Sequence, residues 1–126
     1  MREILFVDDE QLLLDGLRRM LRSKRAEWNM TFINGGEDAL EFLSGRSVDV
    51  VVSDMRMPGM DGGQFLAAVR RQYPQTARMI LSGHADRASI ISAVGPTQQF
   101  LAKPCDADTL IGAVDRVLAL RDVVTD

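Results

Sequence analysis

Cysteine is almost missing from these 126 residues, with Cys105 standing alone. A single thiol excludes an internal disulfide framework and suits a reducing compartment. Histidine is equally scarce: His84 is the only one, so an imidazole-based metal site lacks its second ligand. No apolar run approaches the roughly 20 residues that cross a bilayer. Met1-Arg2-Glu3 leads straight into an apolar strand run, so neither a signal peptide nor a membrane partner is expected, and the expected location is cytoplasmic. Positive charge is not in excess either. A net charge of −3 and a pI near 5.1 argue against a nucleic-acid surface spread over the domain. Repeats, low-complexity stretches and linkers are absent as well. What remains is ordinary, 46% hydrophobic and 26% charged, at a length that fits one soluble domain with a sizeable core.

The chain is organised around Val48-Asp49-Val50-Val51-Val52-Ser53-Asp54 and the loop that follows, Met55-Arg56-Met57-Pro58-Gly59-Met60-Asp61-Gly62. Its first half is β-branched and apolar, as in a strand buried on both faces of a parallel sheet. Ile4-Leu5-Phe6-Val7 is a similar run, ending in Asp8-Asp9-Glu10. Helical spacing follows from about Glu10 to Ser23 through Leu13, Leu14, Leu17, Met20 and Leu21, with Arg18, Arg19 and Arg22 on a solvated face. Trp28 is expected in a connector, and Met30–Ile33 in a short strand near an edge. A second helix carries Ala39, Leu40, Phe42 and Leu43 up to Gly45, and a third carries Phe65, Leu66 and Val69 up to Tyr73-Pro74. Met79-Ile80-Leu81 reads as a fourth strand. Asp86 is placed to cap a short helix through Ile90, Ile91 and Val94, which Gly95-Pro96 ends. Gln99–Ala102 reads as a fifth strand, and Asp106 as the cap of a last helix striped by Leu110, Ile111, Val114, Val117 and Leu118. The expected domain covers residues 1–121, with 122–126 a tail lacking an element of its own. Five alternations of strand and helix argue for a parallel sheet covered on both faces.

Functional side chains recur at one end of these strands: Asp8 and Asp9, Asp54, Ser82 and Lys103. Singly, each has a bland reading, as helix cap, turn residue or solvated strand end. Together, at the same end of different strands of one parallel sheet, they make a site. Clustered carboxylates repel one another, and a hard divalent cation with spare positions for water, such as Mg²⁺, removes that cost. A metal beside a strand-end aspartate, with a hydroxyl and an ammonium nearby, suits phosphoryl chemistry. His84 falls on the rim, and Cys105 reads as a spectator.

These residues resemble the receiver domain of bacterial two-component response regulators. The resemblance is carried by Val7-Asp8-Asp9-Glu10, by Ser53 to Gly62, by Leu81-Ser82-Gly83 and by Phe100-Leu101-Ala102-Lys103-Pro104, and it covers essentially the whole chain. It implies an α/β, flavodoxin-like (βα)5 three-layer sandwich, with a five-stranded parallel sheet in the order 2-1-3-4-5. It implies that Asp54 accepts a phosphoryl group from a sensor histidine kinase or phosphotransfer protein. Mg²⁺ would be bound by Asp9, Asp54 and the backbone carbonyl of Arg56, with Asp8 acting through water. Lys103 would pair with the phosphate, Ser82 would be the switch hydroxyl and Phe100 the switch aromatic. Arg56 and His84 would sit on the rim, where they can gate the attacking water. The signal would leave through the fourth helix, fifth strand and fifth helix, to a homodimer or an output domain of phosphodiesterase or HDOD type. Such a domain is no enzyme beyond assisting its own phosphorylation and dephosphorylation, and it does not itself bind nucleic acid.

Other readings fit less well. An aspartyl-nucleophile phosphohydrolase of the haloacid dehalogenase type wants an acid two residues past the nucleophile, where Arg56 stands. A flavin mononucleotide carrier wants a Ser/Thr/Gly-rich phosphate loop after the first strand, where acids stand instead. A phosphorylation-independent interaction module would not need the intact set Asp8, Asp9, Asp54, Ser82 and Lys103.

Overall fold

A computed structural model describes residues 1–83, 99–103 and 105–125 of the chain. Five strands, β1 (Arg2–Asp8), β2 (Trp28–Asn34), β3 (Val50–Ser53), β4 (Ala77–Ser82) and β5 (Gln99–Ala102), run parallel in the order β2-β1-β3-β4-β5. The described helices are α1 (Gln11–Met20), α2 (Gly36–Leu43), α3 (Gly62–Gln72) and α4 (Ala107–Thr125), with a 3₁₀ turn at Arg22–Lys24. This is the flavodoxin-like arrangement. The helix expected at Asp86 to Val94 lies outside the described residues, as do His84 and Pro104.

The period-2 alternation of each strand divides the core in two. Ile4, Phe6, Val50, Val52, Met79 and Leu81 face one side and meet Leu14 and Leu17 of α1 and Leu110, Val114 and Leu118 of α4. Leu5, Val7, Val51 and Ile80 face the other and meet Leu43 of α2 and Phe65, Leu66 and Val69 of α3. The stripe read from the last helix is therefore the face that covers the sheet. Every residue of β3 is buried, as its uniformly apolar run requires.

Three expectations are corrected. Trp28 is not in a connector. It opens β2, pairs in register with Arg2 and is buried, because its ring extends the core toward the bottom of the sheet. The first helix stops at Met20 instead of running to Ser23, and the chain tightens into the 3₁₀ turn. The C-terminal residues are no separate tail, since α4 continues to Thr125 and Asp122 forms an ion pair with Arg2. One residue earlier, Arg121 donates to Asp49 Oδ1 at 2.7 Å, while Asp49 Oδ2 accepts from the Glu3 amide at 2.8 Å. The last turns of α4 are thus fastened to the starts of β1 and β3. No described helix is long and apolar enough to cross a membrane.

Candidate functional site

Register brings the strand ends level. Val7 pairs with Ser53, and the Asp54 amide donates to the Val7 carbonyl at 2.9 Å, so Asp8 and Asp54 emerge side by side from neighbouring strands. On β5, Ala102 pairs with Ser82, and Lys103 follows at once. Its ammonium reaches across the sheet edge, 3.1 Å from Asp8 Oδ2 and 3.4 Å from Asp54 Oδ1.

Both carboxylates are nearly enclosed, Asp8 being 3% and Asp54 7% exposed. Loss of water raises the pKa of Asp8. The Glu10 amide and Lys103 oppose that shift, and the charge of Asp54 adds to it. Burial likewise raises Asp54, with Lys103 and the Met55 amide opposing and the charge of Asp9 adding. For Lys103, burial alone would lower the pKa, but the two carboxylates outweigh it and leave the ammonium's value raised. One cation among crowded acids leaves negative charge in excess.

That donor set fits a hard divalent ion. Asp8, Asp9 and Glu10 place carboxylate oxygens within 4.8 Å of one another, all oxygen and no nitrogen or sulfur. The backbone around them is held rigidly. Asp8 Oδ1 accepts from the Glu10 amide at 3.0 Å, the Asp8 carbonyl accepts from Gly35 at 3.1 Å, and the Asn34 side chain donates to the Asp9 carbonyl at 3.1 Å.

The loop beyond Asp54 is folded back onto it. The Gly62 amide donates to the Met55 carbonyl at 2.7 Å, and a Cβ on Gly62 would lie 2.1 Å from the Asp54 carbonyl oxygen. Only glycine fits that contact. Asp61 then starts α3 with a capping box: its side chain accepts from the Gln64 amide at 2.8 Å, and the Gln64 side chain accepts from the Asp61 amide at 3.1 Å.

Of the residues singled out by sequence, the structure brings together Asp8, Asp9, Asp54 and Lys103. Arg56 is exposed in the loop after Asp54. Ser82 and Phe100 occupy β4 and β5 as expected, but their side chains are outside the described residues, as is the rim residue His84. Sequence reasoning gave no role to Glu10 beyond its place in the motif, and none to Asn34. Glu10 could have been found as the third consecutive acid. Nothing in the sequence marks Asn34, whose reach depends on the β1–β2 register.

Comparison with known proteins gives concordant results. A family model described as "Response regulator receiver domain" matches residues 4–115. The hydrogenase transcriptional regulatory protein HoxA of Cupriavidus necator is 33% identical over 98% of this chain and 25% of its own length. The chain thus spans about a quarter of the curated relatives it matches. Among solved structures, the receiver domain of an HD domain-containing protein from Pseudomonas fluorescens is 31% identical, with a TM-score of 0.84 over 97% of this chain and 98% of that one. The response regulator protein TrrA of Thermotoga maritima, in complex with Mg²⁺–BeF, is 25% identical, with a TM-score of 0.78 over 93% and 99%.

Proposed function

The chain belongs to the response regulator receiver domain family, and from that premise we propose that Asp54 is the phospho-acceptor of a two-component signalling switch. The observation that carries the assignment is the Lys103 ammonium held between Asp8 and Asp54 at the shared strand edge. An Asp54 oxygen attacks the phosphorus of a phosphorylated histidine. The P–N bond breaks, and the imidazole leaves with the bonding pair. Lys103 turns from the carboxylates to the phosphoryl oxygens, and Ser82 donates a hydrogen bond to them. Asp9, Asp54 and the Arg56 carbonyl would hold Mg²⁺, with Asp8 acting through water, and the ion would supply charge neutralisation for the transferring group. The crowding of acids supports that ion, as does the Mg²⁺–BeF complex of the Thermotoga relative.

In this reading the domain continues through α4, works in the cytoplasm and catalyses nothing beyond its own phosphorylation and dephosphorylation. A sensor histidine kinase or phosphotransfer protein supplies the phosphoryl group. The readout surface is the segment between β4 and β5, with β5 and α4, and it meets an output domain or a second copy. The relatives support two kinds of output: HoxA is a transcriptional regulator, and the Pseudomonas receiver belongs to an HD domain-containing protein. Intact-mass measurement after incubation with Mg²⁺ and acetyl phosphate tests the assignment. One phosphoryl adduct is expected on the wild type and none on Asp54→Asn, with Asp9→Ala losing Mg²⁺ binding and phosphorylation together. A full-yield adduct on Asp54→Asn would refute it.

A further inference from the structure

Beyond the phosphorylation site, we propose that the outer edge of β2 is a docking site for an extended acidic peptide, which adds to the sheet as a further strand. Among the described residues β2 is the end strand and pairs only with β1. Alternate residues of a parallel edge strand turn their amide and carbonyl groups away from the sheet, which leaves a template for another backbone. Protected edges carry proline or charge. The sequence Trp28-Asn29-Met30-Thr31-Phe32-Ile33-Asn34 carries neither.

A groove of about 590 Å³ lies beside this edge. Met1, Met30 and Phe32 give it an apolar floor, and Arg18 and Arg25 stand at its rim. The basic character extends well past those two side chains. Between Gly16 and Ala26 the chain holds Arg18, Arg19, Arg22, Lys24 and Arg25 and no acid, within a protein of net charge −3. Lys24 is committed to Glu27 and to the Trp28 ring, and Arg18 lies 4.9 Å from the centre of the Phe32 ring. Arg19, Arg22 and Arg25 are exposed and have no carboxylate partner among the described residues. The dipole of α1 accounts for Arg18 and Arg19 in its last turn. Arg25 lies beyond both helical segments and needs another reason.

Met30, Phe32 and Arg18 share one face of the sheet, so an extended peptide whose side chains on that face are by turns acidic and apolar satisfies all three features at once. Its backbone pairs with the edge, its apolar side chains cover Met30 and Phe32, and its carboxylates meet the guanidinium groups. A nucleic acid or anionic lipid would meet only the charge and would face the acidic remainder of the molecule. The groove reaches Trp28, which pairs with Arg2, whereas Asp8 pairs with Asn34 at the other end of the same two strands.

The test uses a fluorescent peptide of roughly ten residues with glutamate and valine taking turns on one face and serine filling the other, its copy N-methylated on alternate amides, a single-stranded oligothymidine and anionic phosphatidylglycerol vesicles. Saturable binding of the unmodified peptide is expected, with amide shift changes and slowed hydrogen exchange concentrated at Asn29 to Ile33. The N-methylated copy should fail to bind, and Arg22→Glu/Arg25→Glu should weaken the unmodified peptide by about tenfold or more. Binding of both peptides alike would overturn the proposal, as would no saturable binding, or tighter binding of the oligonucleotide or vesicles. The decisive comparison is between two peptides on the wild-type protein, so a folding defect in the double variant cannot obscure it. Phosphorylation at Asp54 is read separately by mass in the same samples.

Discussion

Asp8 and Asp54 share one ammonium in a place where water barely reaches, and their raised pKa values mean that the fold favours their neutral forms. In the folded state each holds its proton to a higher pH than in the unfolded chain. Stability therefore falls as pH rises through the raised values, because the folded state must then carry both charges. Asp54→Asn removes one of those charges. It should raise the thermal midpoint of the metal-free protein at neutral pH by roughly 3–5 °C, the shift that about 1 kcal/mol gives a domain of this size. The advantage should shrink as pH is lowered through the carboxyl titration, and scanning calorimetry across pH reads both. Mg²⁺ acts on the same excess charge. At a hundred times its dissociation constant it should stabilise the wild type by about 2.7 kcal/mol, and Asp9→Ala by much less. Arg56 stands two residues beyond Asp54, exposed where water would approach an acyl phosphate. Exchanging it for alanine should change the decay rate of the phosphorylated protein and leave its formation intact; unchanged decay would remove Arg56 from that role. The acids and Lys103 were legible in the sequence because each ends a recognisable strand. Asn34 was not, because its contact with the Asp9 carbonyl depends on the pairing of two strands.

The loop between β3 and α3 shows how one element sets another. Gly62 touches the Asp54 backbone so closely that a methyl group cannot be accommodated without moving Asp54. Gly62→Ala should cost about 2–3 kcal/mol in denaturant unfolding and lower the yield of phosphorylation together with it. Asp61→Ala removes the start of α3 but no contact with Asp54. It should cost about 1 kcal/mol and leave phosphorylation unaffected, which separates the two residues. Asp106 caps α4 through the Thr109 amide at 2.7 Å, and that bond lowers its pKa. Its contribution is present above the unfolded-state value and is lost as pH falls through the folded one. The destabilisation caused by Asp106→Ala should therefore fade in acid. Apolar periodicity made α3 and α4 readable, and Asp106 announced its own cap. The capping box at Asp61 and Gln64 was equally present in the sequence, but the glycines beside it drew attention to a turn. Trp28 was misplaced because an aromatic residue among polar neighbours carries no period until its strand is paired.

At the scale of the whole molecule, alternation of strands and helices was enough to require a covered parallel sheet, but strand order was not contained in it. That order came from the resemblance, and β2-β1-β3-β4-β5 agrees with it. The ends of the chain were the least legible part, since Arg2 and Asp122 pair across 120 positions of sequence that no local pattern connects. Signal transmission belongs to this scale. Ser82→Ala should still accept phosphate at Asp54 yet fail to change the surroundings of Phe100, so equal phosphorylation-induced NMR shifts at Phe100 in both proteins would reject the coupling. The two ends of the sheet also differ as optical environments. The only tryptophan, Trp28, is buried beneath the Lys24 ammonium beside Arg2, whereas Asp8 leaves β1 about 20 Å further along. Its emission should redden when the chain unfolds and stay constant when acetyl phosphate is added. Intrinsic fluorescence is thus a gauge of folding that is blind to the chemistry at Asp54, and the same indole is well placed to respond when the β2 groove fills.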